Sequence, residues 1–420
     1  MLDRTVAPLF STSRSIELPI VKELTVSENF KTFYFDKVKQ ALTKIDIIYK
    51  AGKWQEPIPG IAHFTAQLIE KGTANKNSNE IAEIFDQYGA HIEIAPGFDY
   101  TTVSLYCLSN KIKDVLPLFL EILLTPSFPK EELDLSKSIF AQNLKINNEK
   151  NSYVASKLIR KNIFGERHPY GSSIEENALV KINQDTLKNF FIERFNPFEI
   201  YITGRTENDE LNFIVDQLKK LSPIKTIAKP LQHSISVGEK EEYLQKDGSV
   251  QTSLRLGKRL INRNHKDYFD LLFLNHILGG YFGSRLMKNI REEKGLTYGI
   301  NSSLNTLLND SFFVIGADVN KENQEITIQE IRNELQNLRE VKINDQELEI
   351  AKSHFLGSIQ IDMANPFSVM DKIKNVNLNG LKPTYYNDLF SQVSNLTSDH
   401  LMNTAQTYLS DNDLFIVKVG

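Results

Sequence analysis

The order of strand-like and helix-like segments in the first half of the chain recurs in the second. The two closing strands, 198–203 and 414–419, lie about 215 residues apart. A repeat of that length is a duplicated domain and not a solenoid, so the 420 residues are expected to build two similar units, each able to bury its own core. In the first unit the pattern gives a strand at 42–50, helices at 61–68 and 79–88, and a hairpin from 91–95 and 101–108. Helices follow at 112–124, 130–148, 154–164 and 185–194, the first stopped by Pro126 and Pro129 and the last capped by Asp185, before the closing strand. The second unit repeats this with a strand at 250–256, helices at 267–278 and 284–293, and a strand pair at 298–304 and 311–319. Its later helices fall at 321–338, 344–363, 366–379 and 398–409. The expected fold class is α+β, two homologous domains, each an antiparallel sheet with helices packed on one side. The boundaries are residues 1–221, a linker at 222–237 with Pro223 and Pro230 and no strong periodicity, and residues 238–420.

Composition removes several function classes. A net charge of −4 with no Lys/Arg block argues against nucleic-acid binding. One cysteine, Cys107, excludes an intrachain disulfide framework; it sits in an alternating run and is read as a core side chain. The most apolar run, 115–124, contains Pro117 and Glu121 and is too short to span a bilayer. The first ten residues, with Asp3 and Arg4, lack the apolar core of a signal peptide, so the expected location is cytoplasmic, a trimmed leader aside.

Chemistry is concentrated at two places. The first is Gly60, Ile61, Ala62, His63, Phe64, Thr65, Ala66 and Gln67, continuing to Lys71, Gly72 and Thr73. On a helix His63 and Gln67 share a face. An inverted-type zinc hydrolase requires His-x-x-Glu-His at this spacing: two imidazoles bind the metal and the Glu between them is the base for its water. Here the base position is Ala66 and the second ligand position is Gln67. The second place is the Gly-rich turn Leu278, Gly279, Gly280, Tyr281, Phe282, Gly283, Ser284, followed by Ile290, Arg291, Glu292, Glu293, Lys294, Gly295, Leu296, Thr297 and Tyr298. Gly295 is placed to end a helix and return Tyr298 beside Arg291. A guanidinium can donate to peptide carbonyls and a Tyr hydroxyl to a developing oxyanion. The plain alternative is an Arg291 paired with a carboxylate and a half-buried Tyr298.

Residues 60–73 and 278–298 resemble the zinc signature and the C-terminal Arg/Tyr motif of the pitrilysin/insulinase metallopeptidase family, to which mitochondrial processing peptidase belongs. The resemblance implies a third zinc ligand, a Glu on a later helix; its offset from Gln67 lands on Asn143, beside Gln142. It also implies that Arg291 and Tyr298 contact substrate near the scissile bond, that Gly279, Gly280 and Gly283 form a substrate-touching loop, and that the edge strand at 90–95 docks peptide. A charged Glu93 stands where the family usually carries Asn, and blocking of strand pairing by that charge is the competing reading. His63 alone reads as a helix histidine with a hydrogen-bond partner. His91, His168 and His276 show no ligand spacing, and the Gly-rich turn alone is equally read as tight helix packing.

The resemblance thus implies a non-catalytic subunit of a heterodimeric zinc peptidase. No cofactor is expected in this chain and zinc is expected in a homologous partner bearing an intact His-x-x-Glu-His. The substrate is expected to be an unfolded peptide, with neither nucleic acid nor membrane as partner. The alternatives are a structural or assembly subunit, similar to respiratory-complex core proteins, and a peptide-binding homodimer without catalysis.

Overall fold

Along the strand Leu42–Tyr49, Ile45, Ile47 and Tyr49 face one way and Lys44, Asp46 and Ile48 the other, yet every residue after Leu42 is buried. A strand buried on both faces needs cover on both, and here the second cover comes from the other half of the chain. The computed structural model describes residues 15–221 and 231–420.

The first half runs β1 (Lys22–Leu24), β2 (Lys31–Phe35), β3 (Leu42–Tyr49), α1 (Ile61–Leu68), α2 (Ser78–Gln87), β4 (His91–Pro96) and β5 (Thr101–Leu108). It continues through α3 (Ile112–Leu124), α4 (Lys130–Glu149), α5 (Asn151–Phe164), α6 (Gln184–Arg194), β6 (Pro197–Gly204) and α7 (Asn208–Leu218). The second half runs β7 (Glu241–Leu244), β8 (Gln251–Arg259), α8 (Tyr268–Asn275), β9 (Thr297–Thr306), β10 (Ser311–Asn320) and α9 (Gln324–Glu340). It closes with α10 (Asp345–Met363), α11 (Pro366–Leu378), α12 (Tyr385–Asn395), α13 (Ser398–Tyr408) and β11 (Phe415–Val419).

The duplication is exact in its strand order. The first sheet is ordered β1-β2-β6-β3-β5-β4 and the second β7-β11-β8-β10-β9, so β2, β6, β3, β5 and β4 answer to β7, β11, β8, β10 and β9. Both sheets are antiparallel apart from one parallel pair each, β2 with β6 and β7 with β11. The short edge strands β1 and β7, the strand β2 beside β1, and helices α7 and α12 are additions to the pattern read from the sequence. The cap of α6 is Asn183, whose side chain accepts from the Thr186 N–H in a reciprocal capping box, so Asp185 lies inside the first turn. Residues 1–14 and 222–230, which hold the N-terminal segment and most of the expected linker, lie outside the described residues. No helix among the described residues is long and apolar enough to cross a membrane.

Each sheet packs its own half's helices on one face. Ile45, Ile47, Val103, Leu105, Ile200 and Ile202 meet α1, α3 and α6 in the first core, and Cys107 is buried there as expected. The opposite faces are covered reciprocally. Helix α5 of the first half lays Ile159, Ile163 and Phe164 against Phe312, Phe415 and Val417 of the second sheet. Helix α11 of the second half lays Val369, Met370 and Ile373 against Phe33, Phe35, Ile48 and Tyr201 of the first. The charged pair on β3 is answered from the same helix: Lys374 reaches the buried Asp46 at 2.6 Å, and Lys44 lies 3.2 Å from that carboxylate. The repeat boundary along the sequence is therefore not a boundary in space.

His168 sits at this junction, stacked on Phe164 and edge-on to Trp54, with its Nδ1 accepting the Tyr170 N–H at 3.2 Å. Burial, helped by the neighbouring imidazole of His233, holds its pKa below the ordinary histidine value. As pH falls the unfolded chain takes up this proton first, so the contribution is intact above about pH 6.5 and is lost below it, by at most about 1.4 kcal/mol per pH unit. Urea midpoints measured between about pH 7.5 and 5.5 should fall, and His168→Gln should remove part of that slope.

Candidate functional site

Helix α1 begins at a carboxylate: Glu56 accepts the Ala62 N–H at 3.1 Å and takes the place of a capping side chain. The helix then turns His63 and Gln67 toward α4, where both line a cleft of about 690 Å³ with Asn143, Ile92, Ile94, Leu135, Ile139 and Phe140. The structure thus brings the retained His63 together with two of the three altered positions, Gln67 and Asn143, while the third, Ala66, is fully buried and offers only a methyl group. The His63 ring stands against Phe64 and Phe140, each at 5.2 Å between centroids, and burial holds its pKa below the usual range. Its Nε2 is buried without a hydrogen-bond partner, so the partnered helix histidine expected from the sequence is not what forms. The oxygen of Gln67 accepts from the Ser136 hydroxyl at 2.9 Å. Thr73 anchors the end of the motif by donating to Glu121 at 2.7 Å, a structural role independent of any metal.

A zinc ion here would face one imidazole and two carboxamides, one of them already engaged by Ser136. Zinc sites are built from thiolate, imidazole and carboxylate, and neutral amide oxygens are poor substitutes. The residues present do not fit the ion, and no chemical step is derived through one at this place. Among the described residues no three His, Cys, Asp or Glu side chains are grouped so as to hold a metal.

The second place is built on irregular helix. Helix α8 continues as a π-helical turn, His276–Gly280, and a second π-helical stretch spans Met287–Glu293; such wide turns recur at functional sites. Gly279 passes so close to β9 that an added Cβ would lie 2.6 Å from the Ser302 nitrogen, which explains this glycine by packing. Gly295 has φ +61 and ends the helix in the left-handed region, as its position in the sequence predicts. An added Cβ there meets nothing within 4 Å, so Gly295→Ala should lower stability only by backbone strain, about 1 kcal/mol in urea denaturation.

That reversal sets Tyr298 beside Arg291. The guanidinium carbon lies 5.4 Å from the Tyr298 ring centroid and 4.8 Å from that of Phe282, so the cation packs on two aromatic rings. Tyr298 is 92% exposed and Phe282 62%. Arg291 has no carboxylate partner among the described residues; of the surrounding helix's cations, Arg285 pairs with Glu347 and Lys294 with Glu330. The plain alternative from the sequence, an ion-paired Arg291 and a half-buried Tyr298, is not what forms. Phe282 is the member that sequence reasoning missed; its one signal was a large aromatic inside a glycine-rich turn. Strand β4 is a sheet edge as expected, and Glu93 accepts from the Tyr106 hydroxyl across the strands. His91 and His168 lie in other surroundings, against Tyr106 and Trp54.

Two similar halves, one with the frame of a metal-binding helix pair and one with an exposed Arg–Tyr pair, define a protein of the peptidase class in fold. Residues 36–177 match the family described as Insulinase (Peptidase family M16), and residues 181–355 match the Peptidase M16 inactive domain. A Bacillus subtilis relative, described as the uncharacterized zinc protease YmxG, is 26% identical over 317 residues, covering 75% of this chain and 77% of its own length. An uncharacterized zinc protease of Rickettsia felis is 24% identical over 413 residues, 90% of this chain and 96% of the relative. Among solved structures, a peptidase M16 inactive domain from Pseudomonas fluorescens superposes with a TM-score of 0.87 at 24% identity, covering 95% of this chain and 98% of that one. A protease from Helicobacter pylori gives 0.85 at 19% identity, covering 96% and 100%. The chain belongs to the insulinase family of peptidases.

Proposed function

We propose that this chain is the non-catalytic subunit of a two-chain insulinase-family peptidase. It binds an extended peptide and presents Arg291 and Tyr298 to a zinc site carried by a homologous partner. The observation that carries this reading is the state of Arg291: a guanidinium without a carboxylate, oriented by Phe282 and Tyr298 at the surface. An arginine held in that way has its donors free for peptide carbonyls. Tyr298 is more exposed than Arg291, and its hydroxyl can donate to the oxyanion that forms when water adds to the scissile carbonyl. The first half supports the division of labour, because Ala66, Gln67 and Asn143 supply neither base nor ligands of the kind zinc takes. Gly279, Gly280 and Gly283 belong in this reading to the loop that carries Phe282 to the peptide.

The test is reconstitution. The chain purified alone should cleave no unfolded peptide, with or without added zinc. With a homologous subunit that has an intact His-x-x-Glu-His, it should form a heterodimer that does cleave. Zinc-dependent hydrolysis by the chain alone would overturn the reading, and a complex indifferent to Arg291 and Tyr298 would make the chain a scaffold.

A further inference from the structure

The duplication places α8 and α10 of the second half where α1 and α4 stand in the first. In the first half that helix pair sets His63 across from Asn143. In the second it sets His276, in the turn that prolongs α8, against His354 of α10, with Nε2 of His276 3.2 Å from Nδ1 of His354. Neither imidazole has a carboxylate or cation partner among the described residues, so their mutual contact is their only recorded polar one. The Tyr281 ring closes one side, 4.5 Å from His276 and 4.7 Å from His354, and Phe355 packs on His276 from another at 5.1 Å. His276 is buried and His354 is exposed, so the pair has a dry inner member and an outer member open to solvent.

We propose that His276 and His354 form a two-imidazole binding site for a late first-row divalent cation, Ni²⁺, Cu²⁺ or Zn²⁺, with water completing the coordination. Two nitrogens each about 2.1 Å from a tetrahedral metal stand about 3.4 Å apart, close to the separation found here. Imidazole donors select these ions over Mg²⁺ and Ca²⁺, which take oxygen. Each neutral ring carries one proton, so binding requires the tautomers with those protons on Nδ1 of His276 and Nε2 of His354; the proton shared between the rings moves to the far nitrogen of its own ring. A bound ion would tie α10 to the turn that carries Tyr281 and, next to it, Phe282. The site rests on the second half's own geometry and stands whether or not the chain serves a partner's zinc.

The experiment is calorimetric titration of the untagged full chain, stripped with chelator, with Ni²⁺ and separately Cu²⁺, with the Cu²⁺ complex read by electron paramagnetic resonance. One equivalent should bind with nitrogen hyperfine structure from two imidazoles. His354→Ala, at an exposed position and checked for an unchanged melting temperature, should lose that binding, while His63→Ala should keep it. Absence of binding to the unmodified chain, retention in His354→Ala, or loss in His63→Ala would each overturn the proposal.

Discussion

Tyr298→Phe should lower kcat of the reconstituted two-chain peptidase by about 10²–10³ with little change in KM. The hydroxyl has no work to do until the carbonyl oxygen gains charge, so its removal affects the transition state and not the bound substrate. Arg291→Ala should divide differently. The guanidinium can meet peptide carbonyls in the ground state as well, so KM should rise along with a fall in kcat. Steady-state kinetics on both variants separates the two roles. Tyr298 is exposed, so its variant should melt with the parent, and a loss of activity cannot be blamed on unfolding. Equal activity in all three proteins would remove the pair from the chemistry.

Phe164→Ala should destabilise the chain by about 3–5 kcal/mol, the range for a large aromatic truncated in a closed core. Phe164 is fully buried and meets Phe312 of the second sheet edge-on at 5.6 Å. It also packs on Tyr170 and His168. Because a first-half residue completes a second-half core, both halves should unfold together at the lowered midpoint. Urea denaturation followed by the fluorescence of Trp54, the only tryptophan, and by circular dichroism tests this. Coincident curves are expected; a Trp54 transition that shifts while the helical signal stays in place would show that the halves are independent.

Much of this architecture can be read in the sequence because its signals are local. Helix α3 begins and ends as its apolar stripe and Pro126 dictate, Gly295 reverses the chain where it should, and the repeated element order corresponds to two sheets of matching topology. The features that escape are those decided at a distance. Strands as short and polar as Lys22–Leu24 and Glu241–Leu244 carry no periodicity, and only the neighbouring edge makes them strands. The charges of Lys44 and Asp46 look like a solvated face until Lys374 arrives from the other half. At the site, Arg291 and Tyr298 could be paired by spacing alone, whereas the second aromatic contact needed the position of Phe282, which depends on how the π-helical turn opens. The missing partner of His63 is likewise a tertiary fact, set by the phenyl rings of Phe64 and Phe140.

The reciprocal placement of α5 and α11 bears on ancestry. Each half lends the other a helix and receives its counterpart, which is the arrangement of a domain-swapped dimer drawn within one chain. A single ancestral half could have satisfied both faces of its sheet only by pairing with a copy of itself. The same geometry implies that the chain, severed between Leu221 and Leu231, would give two fragments that are each incomplete and mutually complementary.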